Sequence, residues 1–298
     1  MSANKKKYLL IAGLLLVTLI YVSSETLFPT SYYQKIPVRF SHVNAPIIDV
    51  EIEGTLYPIG VFPASKFPMS LYQDIMTNIK KIPHEKVQWK TGAGGSFEAM
   101  SYLIPKVKIG NLLWRDVITI EEKEGSMKGV MLGTDPDRTI ASYKFVGDLG
   151  RPFFDKYNVL FDFPHERMII TNDIKKMKKE GFDINKMVKI PLEEGRGMIM
   201  KVETDLGSKN FLISTGSTLS GIRTSLLQGK ACKPMQQGLD AFISPQFIIN
   251  GHDFGEMVLC SYELPADLHE IDGEIGMDFL KNHVVYLDYH NRVIYIEK

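Results

Sequence analysis

Short segments that alternate or cluster apolar residues make up most of the chain beyond residue 45. A period of about two, with Gly or Asn at the turns, is typical of β-strands. Seven such segments are IIDVEIEG from Ile47, YLIPKVKIG from Tyr102, VITIEE from Val117, MIIT from Met168, MIMKVET from Met198, FIINGH from Phe247 and VIYIEK from Val293. The pattern therefore predicts a mainly β protein.

Two segments carry helical signals instead. Residues 70–81 read SLYQDIMTNIKK, and residues 173–180 are rich in lysine and precede Gly181. A glycine commonly ends a helix because it adopts the left-handed conformation of the C-terminal cap. We predict a solvent-exposed helix within a linker that spans residues 173–188, and we interpret its lysines as a solvated face.

The first 25 residues form a separate unit. Three lysines, at residues 5–7, precede fifteen uncharged residues, 8–22, and a bilayer span needs roughly 20 apolar residues. The lysines favour the cytoplasmic side. We expect an N-terminal hydrophobic helix that anchors the protein in a membrane, with the globular part outside the cytoplasm. The alternatives are a signal segment cleaved before Glu25, which gives a secreted or periplasmic protein, and a buried helix of the fold.

The two halves of the chain share a series of features. Gly150 is followed by a Phe pair and by NVLFDFPHERMIIT, and Gly276 is followed by Phe-Leu and by VVYLDYHNRVIYI. When Gly150 is set on Gly276, Asp162 falls on Asp288 without a gap. This correspondence predicts an internal repeat.

Each half also opens in the same way. An Ile-Pro pair occurs at residues 36–37 and again at 190–191, ahead of a strand pair and a loop of small residues. The loops read PASKFPMSL from Pro63 and STGSTLSGI from Ser214. The order of three separate features agrees, which favours a repeat over a chance similarity of two β-rich halves.

Composition excludes some classes of function. Lys plus Arg and Asp plus Glu are both 35, so no global field favours a nucleic acid or an acidic substrate. No Cys/His spacing matches a zinc site, and we expect no metal or organic cofactor. Cys232 and Cys260 are compatible with a disulfide outside the cytoplasm, and equally with two buried thiols.

The stretches FLISTGSTLSGI from Phe211 and DGEIGMDFLKNHVVYLDYHNRVIYI from Asp272 resemble the active-site loop and the closing segment of aspartic proteases. VFPASKFPMSL and KTGAGGSFEAMSY resemble the matching loop and the glycine-rich flap of the other lobe. The resemblance covers nearly all of residues 36–298. It places one loop at Phe62, Pro63, Ala64 and Ser65, the other at Ser214, Thr215, Gly216 and Ser217, and the flap at Gly92, Ala93, Gly94 and Gly95.

The resemblance implies a bilobal fold of two pseudo-symmetric retropepsin-type β-barrel lobes, at residues 36–172 and 189–298. It also implies that Thr215 bonds to the opposite loop and that Gly216 lets the loops approach. Pro63 has neither a hydroxyl nor a backbone N–H.

The catalytic positions hold the wrong chemistry for a protease of this family. The mechanism needs two carboxyls that share a proton, and the aligned residues are Phe62 and Ser214. Neither residue replaces a carboxylate, because a serine hydroxyl stays protonated without a base beside it. We interpret Asp162 and Asp288 as structural residues, and expect no dyad from Asp49, Asp205 or Asp272.

Three functions remain open on this basis. The first is a catalytically inactive, membrane-tethered pseudopeptidase that binds a peptide or protein segment in the cleft between its lobes, by backbone hydrogen bonding as in β-augmentation. The second is an active aspartic-type endopeptidase with non-standard catalytic residues. The third is a purely structural envelope protein. The sequence predicts no oligomeric state.

Overall fold

The computed structural model describes residues 31–41, 43–90, 96–122, 145–193, 197–235, 240–263 and 269–298. The predicted N-terminal hydrophobic helix and the predicted flap residues Gly92 to Gly95 lie outside these ranges. Within them, the helices are too short and too polar to serve as a bilayer-spanning segment.

Strands dominate both halves, as the alternating pattern predicts. The first half contains β1 (Tyr33–Pro37), β2 (Arg39–Phe40), β3 (Pro46–Ile52), β4 (Thr55–Phe62), β5 (Met69–Tyr72), β6 (Ile82–Lys90), β7 (Ser96–Ile109), β8 (Leu112–Glu122), β9 (Gly147–Gly150), β10 (Val159–Asp162) and β11 (Arg167–Thr171). The second half contains β12 (Val188–Pro191), β13 (Ile199–Thr204), β14 (Gly207–Ile213), β15 (Gly221–Arg223), β16 (Lys233–Pro234), β17 (Asp240–Ser244), β18 (Ile248–Ile249), β19 (His252–Asp253), β20 (Met257–Tyr262), β21 (Gly273–Ile275), β22 (Val284–Asp288) and β23 (Val293–Ile296). Each of the seven predicted segments contains a strand.

Helices are short and few in the described ranges. They are α1 (Gln73–Asn78), α2 (Arg151–Lys156), α3 (Ile174–Lys179) and α4 (Met277–Leu280), with 3₁₀ turns at Phe163–His165, Ile184–Lys186 and Thr224–Leu227. The predicted helix at residues 173–180 is confirmed: the Asp173 side chain accepts from Lys176 N, and Gly181 has φ 101°. The lysines of this helix are exposed, whereas Met177 on the same helix is fully buried.

The predicted helix at residues 70–81 is wrong over its first turn. Ser70 and Leu71 belong to β5, which runs parallel to β8 and antiparallel to β9. Both side chains are buried between those strands, and only α1 remains helical. Tertiary strand pairing overrides the local helical signal here.

The strands form one sheet shared by the two halves and one large sheet within each half. The shared sheet has the order β1-β11-β10-β22-β23-β12 and is antiparallel throughout, and the β10–β22 pair joins the halves. The sheet of the first half has the order β2-β3-β4-β9-β5-β8-β7-β6. The sheet of the second half has the order β16-β17-β20-β15-β21-β14-β13-β18-β19.

The two large sheets repeat the same pairing pattern, as the internal repeat predicts. β4 runs parallel to β9, and β14 runs parallel to β21. β5 is antiparallel to β9 and parallel to β8, and β15 is antiparallel to β21 and parallel to β20. The body therefore divides into two similar β-rich halves. The exact limits of the two lobes stay a prediction.

Met198 and Met200, beside and within β13, are fully buried in the main core. Cys232 and Cys260 are both free thiols. The structure therefore has two separate thiols rather than the disulfide that the sequence left open.

Candidate functional site

Each half ends a central strand in the same tight turn. The turn after β4 is closed by a hydrogen bond from Ser65 N to Phe62 O at 2.8 Å, and the turn after β14 by one from Ser217 N to Ser214 O at 3.3 Å. The next helix secures each turn: Arg151 N donates to Ser65 O, and Met277 N donates to Ser217 O, both at 2.8 Å. The two predicted loops are thus built by equivalent backbone hydrogen bonds.

The two turns meet at the centre of the molecule. Thr215 Oγ1 donates to Val61 O across the junction at 2.5 Å, and both residues are buried. The reciprocal bond is missing, because the equivalent of Thr215 in the first turn is Pro63, which lacks a hydroxyl. Thr218 Oγ1 adds a second cross-link by donating to Val43 O at 3.0 Å.

The Phe62 ring fills the first-half side of this junction. It contacts Phe145 edge-to-face with 5.5 Å between ring centroids, and a Cβ added to Gly60 would lie 2.8 Å from its Cε2. Val43, Ala45 and Ile47 pack in the same cluster. Gly60 leaves the space that the ring occupies, so this side of the junction is apolar.

Gly216 lies against the same ring from the other half. A Cβ at this position would lie 3.5 Å from Phe62 Cδ1, which is an ordinary contact distance, and Gly216 is exposed. In this protein the close approach therefore does not require a glycine, because an aromatic ring rather than a backbone faces the residue. Ala64, the residue equivalent to Gly216, is half-buried in a neighbouring cluster.

Ser214 belongs to a chain of hydrogen-bonding groups that sequence reasoning missed. Its Oγ lies 3.1 Å from Ser217 Oγ, and Ser217 Oγ also bonds to the carboxylate of Glu274 on β21. Ser214 is 8% exposed, whereas Ser217 and Glu274 are half-buried. A carboxyl group therefore lies one hydroxyl away from Ser214.

The first half has a counterpart to Glu274. Asp148 on β9 is buried and accepts a hydrogen bond from the Ser70 hydroxyl. Burial raises the pKa of Asp148, and hydrogen bonds from Ser70 and Ser65 partly offset that rise. Burial likewise raises the pKa of Glu274, with a smaller opposing effect from Ser217. Each half thus places an acid next to its turn and bonds it to a serine of that turn. Asp148 bonds to Ser65 in the first half, and Glu274 bonds to Ser217 in the second.

A signal for these acids is visible in the repeat. Asp148-Leu-Gly150 and Glu274-Ile-Gly276 are equivalent triplets, and each acid lies two residues before the aligned glycine. No hydrogen bond or ion pair between the described residues joins Asp148 to Glu274, and they interact with separate turns.

The other acids occupy structural positions. Asp162 is buried and accepts a 2.5 Å hydrogen bond from Arg167 Nε, and Asp288 accepts from Asn291 in a turn. Asp49 forms an ion pair with Arg39. Asp205 accepts a hydrogen bond from the Ser244 hydroxyl, and Asp272 accepts one from Asn210 N. Among the residues that the structure describes, no group of three His, Cys, Asp or Glu is placed to hold a metal ion.

Comparison with solved structures identifies a fold. The aspartic proteinase from Irpex lacteus is similar with a TM-score of 0.57 and 14% sequence identity, over 90% of this chain and 97% of that chain. The protein therefore has an aspartic-proteinase-like fold, mainly β and bilobal. No protein-family model matches the sequence, and no curated protein matches it either.

Proposed function

We propose that this protein is a catalytically inactive aspartic-protease-like protein that binds an extended peptide or protein segment in the cleft between its lobes. The observation that carries the proposal is the composition of the junction between the two turns. The positions aligned there with the family's two acids are Phe62 and Ser214, and a phenyl ring occupies the space above Gly60 and beside Gly216. On this alignment the scaffold is kept without the two acids.

The chemical consequence follows from the mechanism of aspartic proteases. One carboxylate must accept a proton from water while a second carboxyl protonates or polarises the scissile carbonyl. A positioned acid or base contributes roughly 10²–10⁴-fold to a rate. The phenyl ring of Phe62 supplies neither function and takes up space where a water would have to be held.

The binding mode rests on the strands around the junction. β6 and β7 form a long antiparallel hairpin that leads to the predicted flap, with Lys90 opposite Ser96 in register. An extended segment beneath such a hairpin can add backbone hydrogen bonds, while Phe62 contributes apolar contact. We further propose that the N-terminal segment tethers the protein to a membrane with the lobes on the extracytoplasmic side.

The experiment is capture of short peptides by the full-length chain, before and after the cleft is filled. Gly216→Leu places a side chain against the Phe62 ring at a position where a Cβ fits. Ser225→Leu, at an exposed position in the 3₁₀ turn Thr224–Leu227, is the matched control. We expect Gly216→Leu to abolish capture and Ser225→Leu to retain it; equal capture by both variants would show that peptides bind elsewhere.

A second candidate is an active peptidase, and the equivalent acids Asp148 and Glu274 favour it. Both have a raised pKa, as acid–base groups near neutral pH require. Against it, Asp148 is buried and bonded to Ser70, and no hydrogen bond between the described residues joins it to Glu274. Peptide hydrolysis that pepstatin inhibits and that Glu274→Gln abolishes would establish this candidate.

A further inference from the structure

Among the described residues, the carboxylate of Glu274 has one hydrogen-bond partner, Ser217, and no cation pairs with it. Burial of the group raises its pKa. A half-buried carboxylate normally has a cationic partner or several donors, since desolvation of an unpaired charge is costly. Glu274 therefore has unused capacity to accept hydrogen bonds.

The direction of the hydrogen bonds leaves Ser214, at the junction, able to accept a hydrogen bond as well. A hydroxyl group carries one proton, so Ser217 donates either to Glu274 or to Ser214. When Glu274 is ionised, Ser217 must donate to the carboxylate, and Ser214 then donates to Ser217. Both hydroxyl protons point toward Glu274, and the free lone pairs of Ser214 are left to accept a bond from a ligand.

A second polar group lies at the same place. Tyr262 is 8% exposed, and its buried phenol oxygen has no hydrogen-bond partner in the part of the chain that the structure describes. Gly221 pairs in register with Glu274, and a Cβ on Gly221 would lie 2.1 Å from Tyr262 Cε1. The Tyr262 ring therefore covers the sheet face from which Glu274 projects. Burial, and secondarily the charge of Glu274, raises the pKa of this phenol.

We infer that Glu274, Ser217, Ser214 and Tyr262 form a subsite for a basic side chain, Lys or Arg, of a bound segment. The ammonium or guanidinium group supplies the cation that Glu274 lacks, and its N–H groups donate to the carboxylate and to Ser214. The inference rests on the proposed function, because it names the class of segment that the cleft takes.

The opposite side of the junction specifies the neighbouring residue of the segment. The half-buried ring of Phe62, which packs edge-to-face on the buried Phe145, is apolar there and reaches to within contact distance of the Gly216 position. The preferred segment thus places an apolar or aromatic residue beside a basic one.

The test uses fluorescently labelled peptides in which a Phe is followed either by Lys or by norleucine, which has a similar shape without the charge. Binding to the full-length chain is measured by fluorescence anisotropy. We expect the Lys peptide to bind about tenfold more tightly or better, the usual range for a charge-assisted hydrogen bond. In Glu274→Gln this preference should disappear while the norleucine peptide binds as before.

Glu203→Gln is the matched control, because it removes the same charge from an exposed position on β13. Its preference for the Lys peptide should equal that of the unmodified chain. Tyr262→Phe should reduce the preference without abolishing it, since one donor or acceptor of the subsite is lost.

The pH dependence separates a charge effect from a packing effect. A cation binds the ionised form of Glu274, so affinity for the Lys peptide should fall as pH drops below the raised pKa of this group, and the norleucine peptide should be insensitive. The other titratable or charged groups on the elements around Glu274 are Tyr262 and Cys260 on β20, Arg223 on β15, Lys209 on β14 and Asp278 on α4. Glu274→Gln must remove the pH dependence if Glu274 causes it.

The outcomes are distinct. Equal binding of the two peptides, or a preference that survives in Glu274→Gln, overturns the basic subsite and leaves the proposed function intact. Binding of neither peptide, nor of any other in a diverse set, overturns the proposed function and the subsite with it.

Discussion

Replacing Thr215 by Val tests whether the two turns depend on the buried hydrogen bond from Thr215 that joins them. The Thr215 hydroxyl donates to Val61 O at 2.5 Å, and both residues are at most 2% exposed. Valine has nearly the same shape, so the substitution removes the hydrogen bond without opening a cavity. It leaves a buried carbonyl lone pair without its donor.

The expected cost follows from that burial. An unsatisfied buried polar group costs about 1–3 kcal/mol, and no reciprocal bond from Pro63 exists to compensate. We expect Thr215→Val to lower the free energy of unfolding by about this amount, measured by urea denaturation. Thr215→Ser keeps the hydroxyl and should lose less.

Thr77→Val is the comparison that isolates burial. The Thr77 hydroxyl also donates to a carbonyl, that of Gln73 in its own helix, but the pair is exposed to water. Its loss should cost a few tenths of a kcal/mol, chiefly through helix propensity. If Thr215→Val costs no more than Thr77→Val, the cross-link does not hold the junction and the reasoning is refuted.

Three further substitutions probe the packing and protonation around the site. Gly60→Ala should displace the Phe62 ring, because the new Cβ would lie 2.8 Å from Phe62 Cε2. Peptide affinity in the capture assay should fall, while circular dichroism should show that the strands remain folded. Gly221→Ala should destabilise the fold by about 1–3 kcal/mol or more in urea, because its Cβ would overlap Tyr262; a variant as stable as the unmodified chain would contradict the packing of this ring against Gly221. The pKa of Asp148 is raised in the folded state, so folding binds a proton there and stability should fall as pH rises from about 4 through the folded pKa. Asp148→Asn should flatten that decline, and an unchanged profile would assign it to another group.

The sequence predicted the repeat and the strands because both depend on local signals. Alternation of apolar residues identified β3 and β7, and the alignment of Gly150 with Gly276 identified the internal repeat. The first turn of the predicted helix at residues 70–81 failed for a non-local reason: Ser70 pairs with Asp148, 78 residues away.

The site was only partly predictable for the same reason. The loop positions could be read from the repeat, and the Thr215 hydroxyl could be expected to cross the junction. Glu274 could not be assigned to Ser217, because the two are 57 residues apart and only the parallel pairing of β14 with β21 brings them together. The contact of Gly216 with a ring rather than a backbone depends on the rotamer of Phe62, which no sequence pattern specifies.

The central claim is that the cleft binds a segment without cleaving it. Mass spectrometry of a peptide retained by the full-length chain, after long incubation from about pH 3 to about pH 8, tests this most directly. The account predicts that the retained peptide stays intact at every pH. Cleavage that pepstatin inhibits and that Glu274→Gln abolishes would contradict it.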